Sequence, residues 1–220
     1  MIEHKHRYKL INFNDITGLW NGSKFSFEVE KKIRKEKEQF AIIELNISRF
    51  RFVNDSFNRK VGNKVLKLFA DQLINNFARK NEIYGTIWAD YFIVLVYYNT
   101  PEEIEERIND FARHFQEKAS SVCSFRFVLK AGIAFYNPLS PNPPSVEDLI
   151  EQANHAMSTI RDPYKTQCRF FNETMETEIE NLRIVDIDMM ESFKRGEFQP
   201  FFQPKYDINT GRICGAEALI

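Results

Sequence analysis

The chain has 220 residues, of which 43% are apolar and 28% charged, and its formal net charge of −1 gives no basic footprint for nucleic acid or an anionic membrane. No apolar run reaches the ~20 residues of a transmembrane helix, and residues 1–9 lack the apolar core of a signal peptide. The three widely spaced cysteines form no CxxC motif, which favours a reducing, cytoplasmic location.

Hydrophobic periodicity predicts the elements of the first 171 residues. They are a helix over 23–37, a strand over 40–47, a helix over 61–77, paired strands over 83–88 and 92–97, a helix over 102–118, a strand over 125–135, a helix over 145–160 and a short strand over 169–171. This order predicts an α/β sandwich, in which helices pack on one mixed sheet.

A second region follows. Residues 173–194 have an approximately helical apolar pattern that Gly196 ends, and residues 198–205 and 212–219 are typical of a hairpin. We therefore expect an N-terminal extension over 1–13, a first domain over 14–171, a linker helix within 172–197 and the start of another domain over 198–220.

Five short motifs occur in a fixed order in the first domain. They are Thr17-Gly18-Leu19, Asn46-Ile47-Ser48-Arg49-Phe50-Arg51-Phe52-Val53-Asn54-Asp55, Gly62-Asn63-Lys64-Val65-Leu66, Ala131-Gly132-Ile133-Ala134 and Ala153-Asn154-His155-Ala156-Met157. With Trp88-Ala89-Asp90-Tyr91-Phe92 in the place of a GGDEF motif, residues 14–171 resemble a GGDEF domain of the diguanylate cyclase family. The resemblance implies the palm-like mixed sheet of nucleotide cyclases, bacterial cyclic di-GMP signalling and signal transduction.

The resemblance implies a catalytic centre that has lost acidic groups. A cyclase of this family joins two GTP molecules, and Mg²⁺ on carboxylate oxygens neutralises the charge that develops on the phosphates. The two expected metal ligands correspond to Asn46 and Asp90, and the next acidic position is Tyr91. One carboxylate of three remains, so we expect weak or absent Mg²⁺ binding and no useful cyclase activity.

Trp88 and Ala89 replace two glycines that would let a ligand approach the backbone closely. Three interpretations of Trp88 are open. The indole blocks the nucleotide site, provides a face on which a base stacks, or fills the vacated site as part of the core.

Nucleotide recognition is better preserved than catalysis. The resemblance implies that Asn54 and Asn63 contact the guanine, and that Arg161 and Lys165 hold phosphates. Backbone N–H groups at the helix start around Phe50 and Arg51 could also receive phosphates. The alternative for the two cations is that they are ordinary solvated side chains.

Two further features point to dinucleotide chemistry. Many family members bind cyclic di-GMP at an inhibitory RxxD sequence, which corresponds here to the segment from Arg79 to Glu82; the alternative is a surface charge pair. Phe201-Phe202-Gln203-Pro204-Lys205 and Gly215-Ala216-Glu217-Ala218-Leu219 resemble the first hairpin of an EAL phosphodiesterase domain. In a complete EAL domain, Glu217 would bind Mg²⁺ or Mn²⁺.

An EAL domain is a TIM barrel of roughly 250 residues, so we expect no phosphodiesterase activity from residues 198–220 alone. The leading hypothesis is an inactive GGDEF domain that binds GTP without turnover and regulates an attached EAL domain, through domain orientation or a homodimer formed by helix 173–194. The alternatives are an interaction module with a closed nucleotide pocket, and a residual cyclase that relies on Asp90.

Overall fold

The computed structural model describes residues 11–35 and 38–219. The chain divides into two compact units, the first ending at Met175 and the second beginning at Glu176. The elements of the first unit are β1 Trp20–Asn21, α1 Gly22–Lys35, β2 Phe40–Ile47, α2 Phe50–Phe57, α3 Arg59–Gln72, β3 Ile83–Trp88, β4 Tyr91–Val96, α4 Pro101–Ala119, β5 Leu129–Tyr136, α5 Val146–Ser158 and β6 Gln167–Phe170. Most of the predicted extension, residues 1–10, lies outside the described residues, as do residues 36–37 of the first predicted helix.

The first unit has one six-stranded sheet in the order β1-β3-β4-β2-β5-β6. The outer pairs β1–β3 and β5–β6 are parallel, and β2 pairs antiparallel with both β4 and β5. This mixed sheet flanked by helices confirms the predicted fold class.

Strand β2 separates two apolar clusters because successive side chains of a strand point to opposite faces. Ala41, Ile43, Leu45 and Ile47 pack with buried residues of α2, α3 and α4. Phe40 and Ile42 pack on the other face with buried residues of α1 and α5. Glu44 and Asn46 lie on this second face, by the same alternation.

Four local features depart from the predicted elements. Residues 50–57 form a separate helix, α2, since Asn58 has φ 84° and its side chain caps α3 by accepting from the backbone of Lys60 and Val61. A π-helical turn over Leu73–Phe77 follows α3. Strand β5 begins at Leu129 instead of residue 125, and the two-residue strand β1 was not predicted.

Helix α6, Glu173–Lys194, matches the predicted linker helix and crosses the division between the units. In the second unit, strands β7 Phe201–Tyr206 and β8 Ile213–Leu219 pair antiparallel, with Gln203 opposite Glu217.

Within the described residues, none of the helices combines the length and apolar character needed to cross a membrane.

Candidate functional site

The site lies where β2 ends beside the β3–β4 turn. Antiparallel pairing places Asn46 opposite Tyr91, and the Ile47 N–H donates to the Asp90 carbonyl over 3.3 Å. Ala89 takes a left-handed φ of 45°, a conformation that costs alanine more than the glycine expected at this position. The sheet register thus brings together Asn46, Asp90 and Tyr91, which are far apart in the sequence.

A direct hydrogen bond joins the two positions expected to bind metal. Asn46 Nδ2 donates to Asp90 Oδ2 over 2.8 Å and lies 3.4 Å from the Asp90 carbonyl oxygen. Burial raises the pKa of Asp90, and hydrogen bonds from its own backbone N–H and from Asn46 act in the opposite direction. The Asn46 N–H group therefore lies on the side of the Asp90 carboxylate to which the negative charge would attract a cation.

These residues fit a Mg²⁺ ion poorly. Among the described residues, no three His, Cys, Asp or Glu side chains are grouped so that they could hold a metal. Asp90 is the one carboxylate of the expected ligand pair, and Asn46 directs a donor group toward it. Mg²⁺ requires oxygen ligands in a nearly octahedral arrangement, and this pair directs only one carboxylate and one N–H donor into the site.

The Trp88 indole lies at the surface with 59% of its area exposed. It stacks on Tyr91, with ring centroids 4.6 Å apart and ring planes 13° from parallel. The interpretation that Trp88 fills the vacated site as core is therefore wrong, because the side chain stays outside the apolar clusters. Burial, and then the charges of Asp90 and Glu44, raise the pKa of Tyr91, so its hydroxyl stays neutral.

Glu44 is an acidic residue of this region that the sequence reasoning missed. It lies in the middle of β2 and is only 2% exposed. Its Oε1 accepts a hydrogen bond from Asn154 Nδ2 over 3.1 Å, whereas the buried Oε2 has no hydrogen-bond partner. Burial raises the pKa of Glu44 to about 7. The sequence signal for Glu44 was a charged residue inside a largely apolar strand.

The predicted base-binding residues lie on α2 and α3. A Cβ on Gly62 would collide with Asn54 Oδ1, so the glycine makes room for the Asn54 side chain. Asn63 follows directly and is exposed. The helix pair α2–α3 therefore places one partly buried amide and one exposed amide near each other.

The predicted phosphate-binding cations lie in the loop between α5 and β6. Helix α5 ends at Ser158, so Arg161 and Lys165 do not share a helix face. Both are exposed, and neither side chain has a hydrogen bond or ion pair within the described part of the chain. Lys130 Nζ donates to the Ile160 carbonyl over 2.8 Å and holds the start of this loop against β5.

At the start of α2, Phe50 is buried and Arg51 points outward. Arg51 Nε lies 3.6 Å from Asp55 Oδ2, and both side chains are largely exposed. Arg49 precedes the helix with φ 60°. The left-handed residue turns the chain sharply from β2 into α2, so the first N–H groups of the helix lie at the same end of the sheet as Asp90.

Glu82 is part of the interior of the first unit. Its carboxylate accepts two bonds from Arg107, at 2.8 and 3.0 Å, and one each from the backbone of Arg79 and Tyr97. The Glu82 side chain is 1% exposed, so it is not available to a ligand. This geometry does not support Glu82 as a group of an inhibitory dinucleotide site. The Arg79 side chain is exposed and pairs with Glu103.

In the second unit, Glu217 Oε2 lies 3.0 Å from Lys205 Nζ, and both side chains are more than half exposed. The hairpin thus places Gln203, Lys205 and Glu217 close together on two paired strands.

The family model for the GGDEF domain of diguanylate cyclases matches residues 11–167. The chain belongs to the GGDEF family, whose members act in cyclic di-GMP signalling. It is 22% identical over 196 residues to MucR of Pseudomonas aeruginosa, a bifunctional diguanylate cyclase/cyclic di-GMP phosphodiesterase, and the match covers 87% of this chain and 27% of MucR. The chain spans between 26% and 32% of the length of five curated relatives that it matches.

Solved structures of GGDEF domains share the fold. The GGDEF domain of YfiN (TpbB) from Pseudomonas aeruginosa superposes with a TM-score of 0.64 at 17% identity, covering 76% of this chain and 99% of that one. The GGDEF domain of DgcB from Caulobacter crescentus, solved with c-di-GMP, gives a TM-score of 0.62 at 14% identity. The match covers 72% of this chain and 95% of the DgcB domain.

Proposed function

We propose that the first unit is a regulatory GGDEF domain that binds GTP without converting it. The observation that carries this proposal is the Asn46–Asp90 hydrogen bond. An amide that donates to the remaining carboxylate satisfies that charge within the protein. The site then lacks the cation chemistry that phosphoryl transfer needs, because the developing negative charge has no counterpart.

Retained binding is supported by groups that lie away from this pair. Asn54 is positioned over Gly62 and Asn63 is exposed beside it, while Arg161 and Lys165 have no partner in the described structure. Amides suit a purine edge and unpaired cations suit phosphates. The Trp88 indole is exposed, so it offers a ring face on which a base can stack.

The second unit supports a regulatory role in a larger protein. Its Gln203, Lys205 and Glu217 lie on one hairpin, as expected for the start of an EAL phosphodiesterase domain. Helix α6 lies between the six-stranded sheet and this hairpin in the sequence. We propose that nucleotide binding changes domain orientation or homodimer formation through α6, and thereby the activity of a complete EAL domain.

Calorimetric titration of the 220-residue chain with GTP, with and without Mg²⁺, tests the proposal. We expect binding with little dependence on Mg²⁺, and loss of that binding in the Arg161→Ala, Lys165→Ala double variant. Arg34→Ala is the matched control, because Arg34 is 79% exposed and lies on α1. Absence of heat up to millimolar GTP, equivalent to less than about 4 kcal/mol, would exclude a nucleotide-binding role.

A second candidate is an interaction module that binds no nucleotide. The exposed Trp88 ring, stacked on Tyr91, favours it, because aromatic side chains are enriched at protein interfaces. If the titration shows no GTP binding, the interaction module remains as the candidate function. A residual cyclase relying on Asp90 would instead release pyrophosphate from GTP.

A further inference from the structure

Two loops meet beside the start of α2. The Ser48 hydroxyl donates to the Pro163 carbonyl over 3.3 Å. Next to this contact, the guanidinium carbon of Arg49 lies 4.7 Å from the centroid of the Phe52 ring and 5.0 Å from that of Tyr164. The Arg49 side chain is thus held against two aromatic rings, one from helix α2 and one from the loop between α5 and β6.

This arrangement orients an arginine without using its hydrogen-bond donors. In the described structure, the Arg49 guanidinium makes no hydrogen bond and no ion pair. Phe52 and Tyr164 are 50% and 62% exposed, so solvent reaches the stack. A planar guanidinium held in place has already lost much of its conformational freedom, and its N–H groups are then available for bidentate binding of an oxyanion.

The surroundings add two cations that form no ion pair within the described part of the chain. Arg161 and Lys165 flank Tyr164 in the same loop and have no partner in the described part of the chain. The carboxylate of Asp162, in the same loop, accepts a hydrogen bond from the Tyr164 N–H over 2.8 Å. Some cations elsewhere do pair with acids, as Lys24 and Lys31 do with Glu28. Three cations that form no ion pair in the described structure, Arg49, Arg161 and Lys165, therefore lie on two joined loops of a chain whose net charge is −1.

We propose that Arg49, held by Phe52 and Tyr164, is a phosphate-recognising residue that binds the polyphosphate of a nucleotide together with Arg161 and Lys165. The proposal rests on the nucleotide-binding function proposed above and assigns a role to a side chain outside the expected phosphate-binding pair. A polyphosphate suits this group because it carries several negative charges and presents paired oxygens to a guanidinium.

The test is a calorimetric titration of the full chain with GTP and, separately, with inorganic tripolyphosphate. Arg49→Gly removes the side chain without backbone strain, since φ 60° is readily adopted by glycine. Arg49→Lys keeps the charge but loses the planar fork. Tyr164→Ala keeps the arginine but removes one ring, and Arg34→Ala is the control distant in sequence. Thermal midpoints close to that of the wild type verify that each variant is folded.

We expect Arg49→Gly and Tyr164→Ala to weaken GTP binding by roughly tenfold or more, with a smaller loss for Arg49→Lys and none for Arg34→Ala. Tripolyphosphate should show the same order. Tighter binding by Tyr164→Ala would overturn the proposal, because the stack would then close the site. Unchanged GTP binding in the Arg49 variants would overturn it while leaving the proposed function intact. If the wild type binds neither GTP nor tripolyphosphate, both this proposal and the proposed nucleotide-binding function are overturned.

Discussion

The Asn46 side-chain amide, on β2, donates a 2.8 Å hydrogen bond to the Asp90 carboxylate in the β3–β4 turn. In a GGDEF cyclase, the resemblance places two carboxylates at these positions with a cation between them. Here one neutral amide donates a hydrogen bond to one carboxylate, so the pair has no second negative charge that a cation would have to offset.

A second carboxylate at position 46 should make the stability of the first unit depend on a bound cation. In Asn46→Asp, two carboxylates would face each other at close distance, and their repulsion should lower stability by about 1–2 kcal/mol in the presence of EDTA. Millimolar Mg²⁺ should recover much of this loss. Thermal unfolding with EDTA and with Mg²⁺ measures both effects. The wild type is the control and should respond little to Mg²⁺; an equal response in both proteins would show that Mg²⁺ does not act at this pair.

Glu44 should make stability depend on pH. Burial raises its pKa from 4.5 to about 7, so the folded chain holds this proton more tightly than the unfolded chain does. The Glu44 contribution should therefore decline as pH rises from about 4.5 through about 7, by up to about 3 kcal/mol, since one pKa unit is worth about 1.4 kcal/mol.

Glu44→Gln removes this titration and keeps an oxygen that can accept from Asn154. The difference in free energy of unfolding between the variant and the wild type, measured by denaturant titration from pH 4.5 to pH 8, should move in favour of the variant as pH rises. A difference that stays constant over this range would show that Glu44 titrates normally.

The buried Arg107–Glu82 pair should be far more important for stability than the exposed pair beside it. Arg107→Met leaves a carboxylate with 1% side-chain exposure without its cation, and should cost about 3–5 kcal/mol. Arg79→Met removes an arginine that is 53% exposed and should cost less than about 1 kcal/mol. Chemical denaturation of both variants measures the contrast. Equal losses would mean that the buried pair adds no more than a surface pair.

Gly132 should tolerate no side chain. A Cβ at this position would collide with the Ala153 carbonyl and lie 2.6 Å from the Met157 N, both in the backbone of α5. Gly132→Ala should therefore push α5 away from β5 and cost about 2 kcal/mol or more. Gly22→Ala is the matched control, because no atom lies within 4 Å of a Cβ there. A stable Gly132→Ala variant would show that α5 shifts freely.

The sequence predicted those parts of the structure that depend on local pattern. The apolar run of β2 and the hairpin around Ala89 and Asp90 follow from periodicity, and together they bring Asn46 next to Asp90. The Glu44–Asn154 bond and the Arg49–Tyr164 stack join residues more than 100 positions apart. Such contacts depend on how α5 and its following loop pack on the sheet, which periodicity does not determine.

Incubation with GTP and Mn²⁺, followed by chromatography of the bound and free nucleotide, tests the central claim most directly. The account predicts that GTP is retained by the chain and recovered intact, with no pyrophosphate released and no cyclic dinucleotide formed. Pyrophosphate and cyclic dinucleotide produced by the wild type, and lost in Asp90→Asn, would contradict it, because Asp90 would then support catalysis alone.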